Sequence, residues 1–173
     1  MLIQRFNKTV DIWISTIRKY SFNQLCIQPD ENSWSLAQVC IHLINDTSWF
    51  MEQIKICLLN DDNADKTMLP FAQTMFANHS FPDERLTNPA NINMPQPTGK
   101  RDLLQSFIDL KKDMNEAATQ IANSKSKGKT KHPGLHYFNA TEWLQFAEMH
   151  LRHHLKQKIR IEENFNKCKN QVI

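Results

Sequence analysis

Asn139-Ala140-Thr141-Glu142-Trp143-Leu144-Gln145-Phe146-Ala147-Glu148-Met149-His150-Leu151-Arg152-His153-His154-Leu155-Lys156-Gln157 reads as the opening of a long amphipathic helix. Asn139 is a preferred N-cap residue, and Glu142 three positions later completes a capping-box pair. A rotation of about 100° per residue gathers Trp143, Phe146, His150, His154, Gln157 and Ile161 into one narrow sector. The same rotation puts Glu148, Arg152, Lys156 and Glu163 on the opposite side. The spacing predicts a helix over 139–166. Two histidines and a glutamine sit in the middle of its core-facing stripe.

The rest of the chain supplies partners for that helix. Ile3, Phe6, Val10, Trp13, Ile14 and Ile17 recur at helical steps and predict a first helix over 2–22. Ser33 is an N-cap candidate for a second helix over 33–60, whose stripe carries Trp34, Leu36, Val39, His42, Leu43, Trp49, Phe50 and Ile54. Thr98 is the corresponding candidate for a third helix over 98–123, with Leu103, Leu104, Phe107, Leu110, Met114, Ala117, Ala118 and Ile121 facing inward. Between the second and third helices, residues 61–97 hold Pro70, Pro82, Pro89, Pro95 and Pro97 and show few clear periods. That stretch predicts a long crossover with a short helix near Leu69 to Asn78. A connection of this length can bridge two parallel helices, which a short turn cannot. The chain has only three glycines and no Asn-Gly or Asp-Gly dipeptide, which argues against a β-rich fold. The expected architecture is all-α: one domain over 1–173, a four-helix bundle with a long crossover.

Composition fits this reading and limits the function. A hydrophobic content of 40% in 173 residues suits one sizeable core. The formal net charge of +3 is too mild to point to nucleic acid. The most basic stretch, Lys125, Lys127, Lys129 and Lys131, is interleaved with Ser, Gly and Thr and reads as a solvated, mobile loop. Cys26, Cys40, Cys57 and Cys168 match neither a disulfide framework nor a zinc knuckle. The polar turn of sequence after Met1 shows no signal peptide, and no apolar run approaches the roughly 18 residues of a membrane span. A cytoplasmic location follows as the expectation.

The inward histidines need an explanation, because buried polar groups cost free energy without partners. His150 and His154 stand one helical turn apart and aim at one point. Two core histidines bonded to their neighbours would give the same pattern. His42, in the apolar stripe of the second helix, supplies a third imidazole. Three imidazoles with one open position form a recognised catalytic metal arrangement. Asp46 is a candidate partner for an outer ring nitrogen, a fourth ligand or a general base, unless it is an ordinary surface carboxylate. His153 points to the edge of the stripe and ranks below its neighbours. His132, beside Pro133 and Gly134, and His136 read as structural, and His79 has no assigned role. A second stripe of Leu144, Leu151, Leu155 and Ile159 packs within the bundle or forms a dimer seam.

Two segments carry a family resemblance. Ser33-Trp34-Ser35-Leu36-Ala37-Gln38-Val39-Cys40-Ile41-His42-Leu43 resembles the second-helix motif of the DinB/YfiT-like superfamily. His132-Pro133-Gly134, Glu142-Trp143-Leu144-Gln145-Phe146 and His150-Leu151-Arg152-His153-His154-Leu155-Lys156-Gln157 resemble its last helix. The resemblance implies a four-helix bundle with a long crossover. It also implies a divalent metal, zinc or nickel, at the positions of His42, His150 and His154. The family includes transferases and isomerases that use low-molecular-weight thiols, and its members often form homodimers.

The leading expectation is therefore a metal-dependent enzyme that transfers a low-molecular-weight thiol to a small electrophilic substrate. His42, His150 and His154 would be ligands, and Asp46 or Gln157 would orient water or substrate. A metal-dependent hydrolase and a non-catalytic stress-response or binding module remain as alternatives.

Overall fold

The computed structural model describes residues 1–82 and 94–170, with side chains described through residue 165. Pro89 and the side chain of Cys168 lie outside the described residues. The elements in chain order are α1 (Leu2–Lys19), α2 (Phe22–Leu25), α3 (Leu36–Leu59), α4 (Pro70–Ala77), α5 (Lys100–Asn123), β1 (Lys129–His132), β2 (His136–Asn139) and α6 (Ala140–Asn170).

Local hydrogen bonds decide where these elements begin. The helix expected to reach Phe22 stops at Lys19, because Ser21 caps a new turn. The Ser21 hydroxyl accepts from the Gln24 N–H (3.2 Å), and Gln24 Oε1 accepts from the Ser21 N–H (2.9 Å). The cap of α3 is Ser35 rather than Ser33. Ser35 exchanges the same two bonds with Gln38 (3.2 and 2.9 Å), while the Ser33 hydroxyl donates to Asp30 (2.7 Å). Gly99, not Thr98, is the N-cap of α5. The short helix of the crossover forms with Pro70 at its first position, where a missing N–H costs nothing. At α6 the expected box is present. Asn139 Oδ1 accepts from the Glu142 N–H (2.9 Å), and Glu142 Oε2 accepts from the Asn139 N–H (2.7 Å).

The basic stretch is not a mobile loop through its whole length. β1 and β2 form an antiparallel hairpin in which Lys129 faces Asn139 and His132 faces His136. Its base is tied to the end of α3. The Ser126 hydroxyl donates to the carbonyls of Cys57 (2.7 Å) and Asn60, and the Lys127 N–H donates to Asp61 Oδ1 (2.6 Å).

Pairwise contacts fix the directions of the long helices. Asn7 bonds Asn115 and Asp11 pairs with Lys111, so α1 and α5 are antiparallel. The Trp13 indole N–H donates to the Leu151 carbonyl (3.2 Å) and Lys19 lies beside Glu162, so α1 and α6 are parallel. His42 meets His150 and Phe50 meets Phe146, so α3 and α6 are antiparallel. It follows that α3 and α5, which pack side by side, run parallel, and the long crossover joins them. The core between the four helices holds Phe6, Trp13, Leu43, Phe107, Met114 and Trp143, all fully buried.

Two expectations about α6 change. Glu148, expected on the wet side, is 1% exposed and lies under Arg152, whose guanidinium bonds both the Glu148 carboxylate and the His79 carbonyl of the chain leaving α4. In the second stripe, Leu144 and Leu151 are buried and Leu155 packs against the core, whereas Ile159 is exposed. Among the described residues, no helix is long and apolar enough to cross a membrane.

Candidate metal centre

His42 comes from the second turn of α3, and His150 and His154 come from successive turns of α6. The antiparallel packing of α3 on α6 brings the three rings together. His42 Nε2 lies 3.1 Å from His150 Nε2, and His150 Nε2 lies 3.2 Å from His154 Nε2. The donor atoms of all three rings lie within 4.8 Å of one another. His42 is 6% exposed and His150 9%.

The surroundings keep these rings neutral. Burial, with His154 close by, pushes His42 from 6.5 down to about 4. Burial also takes His154 down to about 4, although its bond to Gln157 works the other way. His150 is lowered furthest, by burial first and then by the neighbouring imidazoles. A neutral ring has one N–H and one lone pair. Gln157 Oε1 sits 2.8 Å from His154 Nδ1, which places the proton there and leaves the Nε2 lone pair facing the other rings.

These residues fit a divalent cation. Metal–nitrogen bonds of about 2.05 Å in a tetrahedral site put ligand nitrogens about 3.3 Å apart, close to the spacing of the neighbouring Nε2 pairs. Without a cation, His150 Nε2 faces two other ring nitrogens and can donate one proton to only one of them. Its buried Nδ1 finds no hydrogen-bond partner among the described residues, nor does that of His42.

Asp46 lies one turn beyond His42. Its carboxylate oxygens are 3.6 Å from His42 Nδ1 and 3.7 Å from His150 Nε2. Its side chain is 38% exposed, and burial raises it from 3.8 to about 6. Gln157, a candidate for orienting water or substrate, has its Oε1 against the outer nitrogen of His154.

Aromatic rings surround the centre. Trp34 packs on His42 (5.2 Å between centroids), Phe50 on His150 (5.7 Å) and Phe81 on His150 (6.3 Å). His153 packs between Phe81 and His154. His132 belongs to the neighbouring aromatic cluster of Trp49, Phe138, Trp143 and Phe146. Burial takes it to about 4, and its Nδ1 accepts from the Gly134 N–H (3.1 Å). Phe81 went unnoticed in the sequence, where a lone phenylalanine beside Pro82 gives no periodic signal.

Two solved structures share the fold. TT2238, a four-helix bundle protein, superposes with a TM-score of 0.58 at 12% identity, over 92% of this chain and 96% of its own. YfiT from Bacillus subtilis, described as a probable metal-dependent hydrolase with an unusual four-helix bundle topology, superposes with a TM-score of 0.55 at 12% identity, over 93% of this chain and 86% of its own. No curated protein matches the chain in sequence. The family model of the DinB superfamily matches residues 5–157. The chain belongs to the DinB superfamily.

Proposed function

We propose that this protein is a metal-dependent enzyme in which His42, His150 and His154 hold one divalent ion, zinc or nickel. Its reaction would form a carbon–sulfur bond between a low-molecular-weight thiol and a small electrophilic substrate, as the bond from that carbon to a leaving group breaks and the leaving group departs with its electron pair. The observation that carries the metal reading is the convergence of three neutral imidazoles, His42 and His150 buried and His154 partly so, with Asp46 at their side. A divalent ion there supplies positive charge that favours the ionised form of a bound thiol. The three ring ligands are neutral and leave that charge for an anionic reactant. Asp46, partly open to water and beside His42 and His150, would accept the thiol proton at a carboxylate oxygen. Gln157 fixes the tautomer of His154 through its Nδ1. Trp34, Phe50 and Phe81, packed on His42 and His150, would favour an apolar substrate portion. A thiol ionises near pH 8.5, so its activation asks far less of the site than that of water.

Hydrolysis is the second reading. Its motive is the same carboxylate, which could take a proton from water, together with the description of YfiT as a probable metal-dependent hydrolase. Elemental analysis of tag-free protein beside His150→Ala is the first test. About one metal per chain, lost in the variant, is expected. Metal absent from wild type after loading with zinc and nickel would remove both readings. Product analysis of the loaded protein, with and without thiol, then separates them: transfer predicts a thioether product and no turnover without thiol.

A further inference from the structure

Phe81 closes the centre from the crossover side. Its ring packs on Phe146 (5.2 Å), His153 (5.3 Å) and His150 (6.3 Å). It lies beyond the end of α4 in non-helical backbone, so no helix holds it there. The residue that sets its place is His79, whose φ of 50° lies in the left-handed region that non-glycine residues avoid. This conformation turns the chain back over α6. The His79 N–H donates to Phe76 O (3.2 Å) and the Ser80 N–H to Met75 O (3.1 Å).

Side chains of α6 grip the turn. The Arg152 guanidinium donates to the His79 carbonyl (2.5 Å). Gln145 Nε2 meets His79 Nδ1 at 3.0 Å, and the Arg5 guanidinium meets the same atom at 3.4 Å. Arg152 is itself fixed, because its fork donates twice to the Glu148 carboxylate (2.8 and 3.0 Å). Glu148 is 1% exposed, and polar oxygens buried so far need hydrogen-bond partners, which the Arg152 fork supplies. Arg152 is therefore committed to Glu148, and the second N–H of its Nη2 is left aimed at His79.

We propose that Glu148 and Arg152 are positioning residues that grip the His79 carbonyl and so hold Phe81 as a wall of the metal centre, limiting which molecules reach it. The wall's consequence rests on the metal reading above, whereas the grip does not. Phe81 and Trp34 stand against different candidate ligand rings, so a substrate reaching the centre would meet two aromatic faces. The chemistry that suits such an entrance is a small electrophile with an apolar group beside its reacting atom.

Two measurements test the grip and the wall separately. Amide hydrogen exchange of the metal-free protein reads the grip at His79 and Ser80. The rate at which excess chelator strips zinc from the loaded protein reads the wall. Arg152→Gln and Glu148→Gln are expected to raise exchange at those amides about 10-fold or more, with no change at the core amides of α1. Both variants and Phe81→Ala are expected to speed zinc removal about 10-fold, and the double variant Arg152→Gln/Phe81→Ala no further than Phe81→Ala alone. Arg152→Lys, which keeps the charge and loses the fork, is expected to fall between. Wild-type exchange in Arg152→Gln overturns the grip. Additive acceleration in the double variant overturns its action through Phe81. If Glu148→Gln does not fold, Arg152→Gln carries the test, because that side chain is 40% exposed. If wild type binds no zinc, the metal reading and the wall fail together, and the exchange data still decide the grip.

Discussion

Lowering the pH from 7.5 to 5.0 should destabilise the metal-free protein by several kcal/mol, and a single ring accounts for a measurable share. His42, His132 and His154 each drop from 6.5 to about 4 in the folded protein, mainly through burial. A group with a depressed folded value contributes stability that is present above its unfolded value and lost as pH falls towards the folded one. The window is therefore pH 6.5 down to about 4. At pH 5 the unfolded ring is protonated and the folded ring is not, which costs about 2 kcal/mol per ring. Asp46 works the other way: raised to about 6, it relieves a burial penalty as pH falls. Its partial exposure limits that relief to about 1 kcal/mol. The expected net loss from these four groups is about 5 kcal/mol, a large share of the 5–15 kcal/mol typical of a domain, and His150, lowered by burial too, adds in the same direction. Urea unfolding followed by tryptophan fluorescence at the two pH values measures it. His132→Phe sharpens the test, because His132 is not among the three converging rings. At pH 7.5 the variant loses the Gly134 hydrogen bond and should be about 1 kcal/mol less stable than wild type. At pH 5.0 it escapes the protonation cost and should be about 1 kcal/mol more stable. Stability curves that run parallel instead of crossing would refute the claim that this ring is held neutral by burial.

Metal loading should stabilise the fold by mass action: at free zinc about 1,000-fold above the dissociation constant, wild type gains about 4 kcal/mol, and a chelator titration of the melting temperature reads its loss. Gly128→Ala should cost about 1–3 kcal/mol in urea unfolding, because a Cβ there would meet the Cys57 carbonyl at 2.6 Å and the Asn60 carbonyl closer still; an unchanged midpoint would mean that the hairpin base is not packed on α3.

The periodic elements were legible because one physical rule, burial of a 3.6-residue stripe, governs them. His42, His150 and His154 showed in sequence as polar residues inside apolar stripes, and Asn139 with Glu142 showed as a cap. Ser35 against Ser33 was not separable, since both stand near the start of the helix and only the Gln38 side chain chooses between them. The hairpin over 129–139 was hidden by its lysines. Solvent-facing lysines carry no core signal, and the contacts that define it run to Cys57, Asn60 and Asp61, far away in sequence. Glu148 failed for a related reason. A helical wheel shows which face meets the main core, but not that Arg152 will bridge Glu148 to the chain leaving α4.

The topology explains why the ligands and the walls of the centre come from different kinds of segment. His42, His150 and His154 lie on α3 and α6, rigid antiparallel neighbours whose register aligns the rings. Because α3 and α5 run parallel, a long connection joins them, and its described ends lie near the centre. One end of it places Phe81 on His150. The other end returns over α3, where Gln38 Nε2 donates to the Met94 carbonyl (2.5 Å) and the Ser35 hydroxyl donates to Gln96 Oε1 (3.0 Å). Both anchors sit within two turns of a candidate ligand but are not themselves candidate ligands. Substitutions in the anchors can therefore alter what enters the centre while the imidazole set, fixed by helix packing, stays in register.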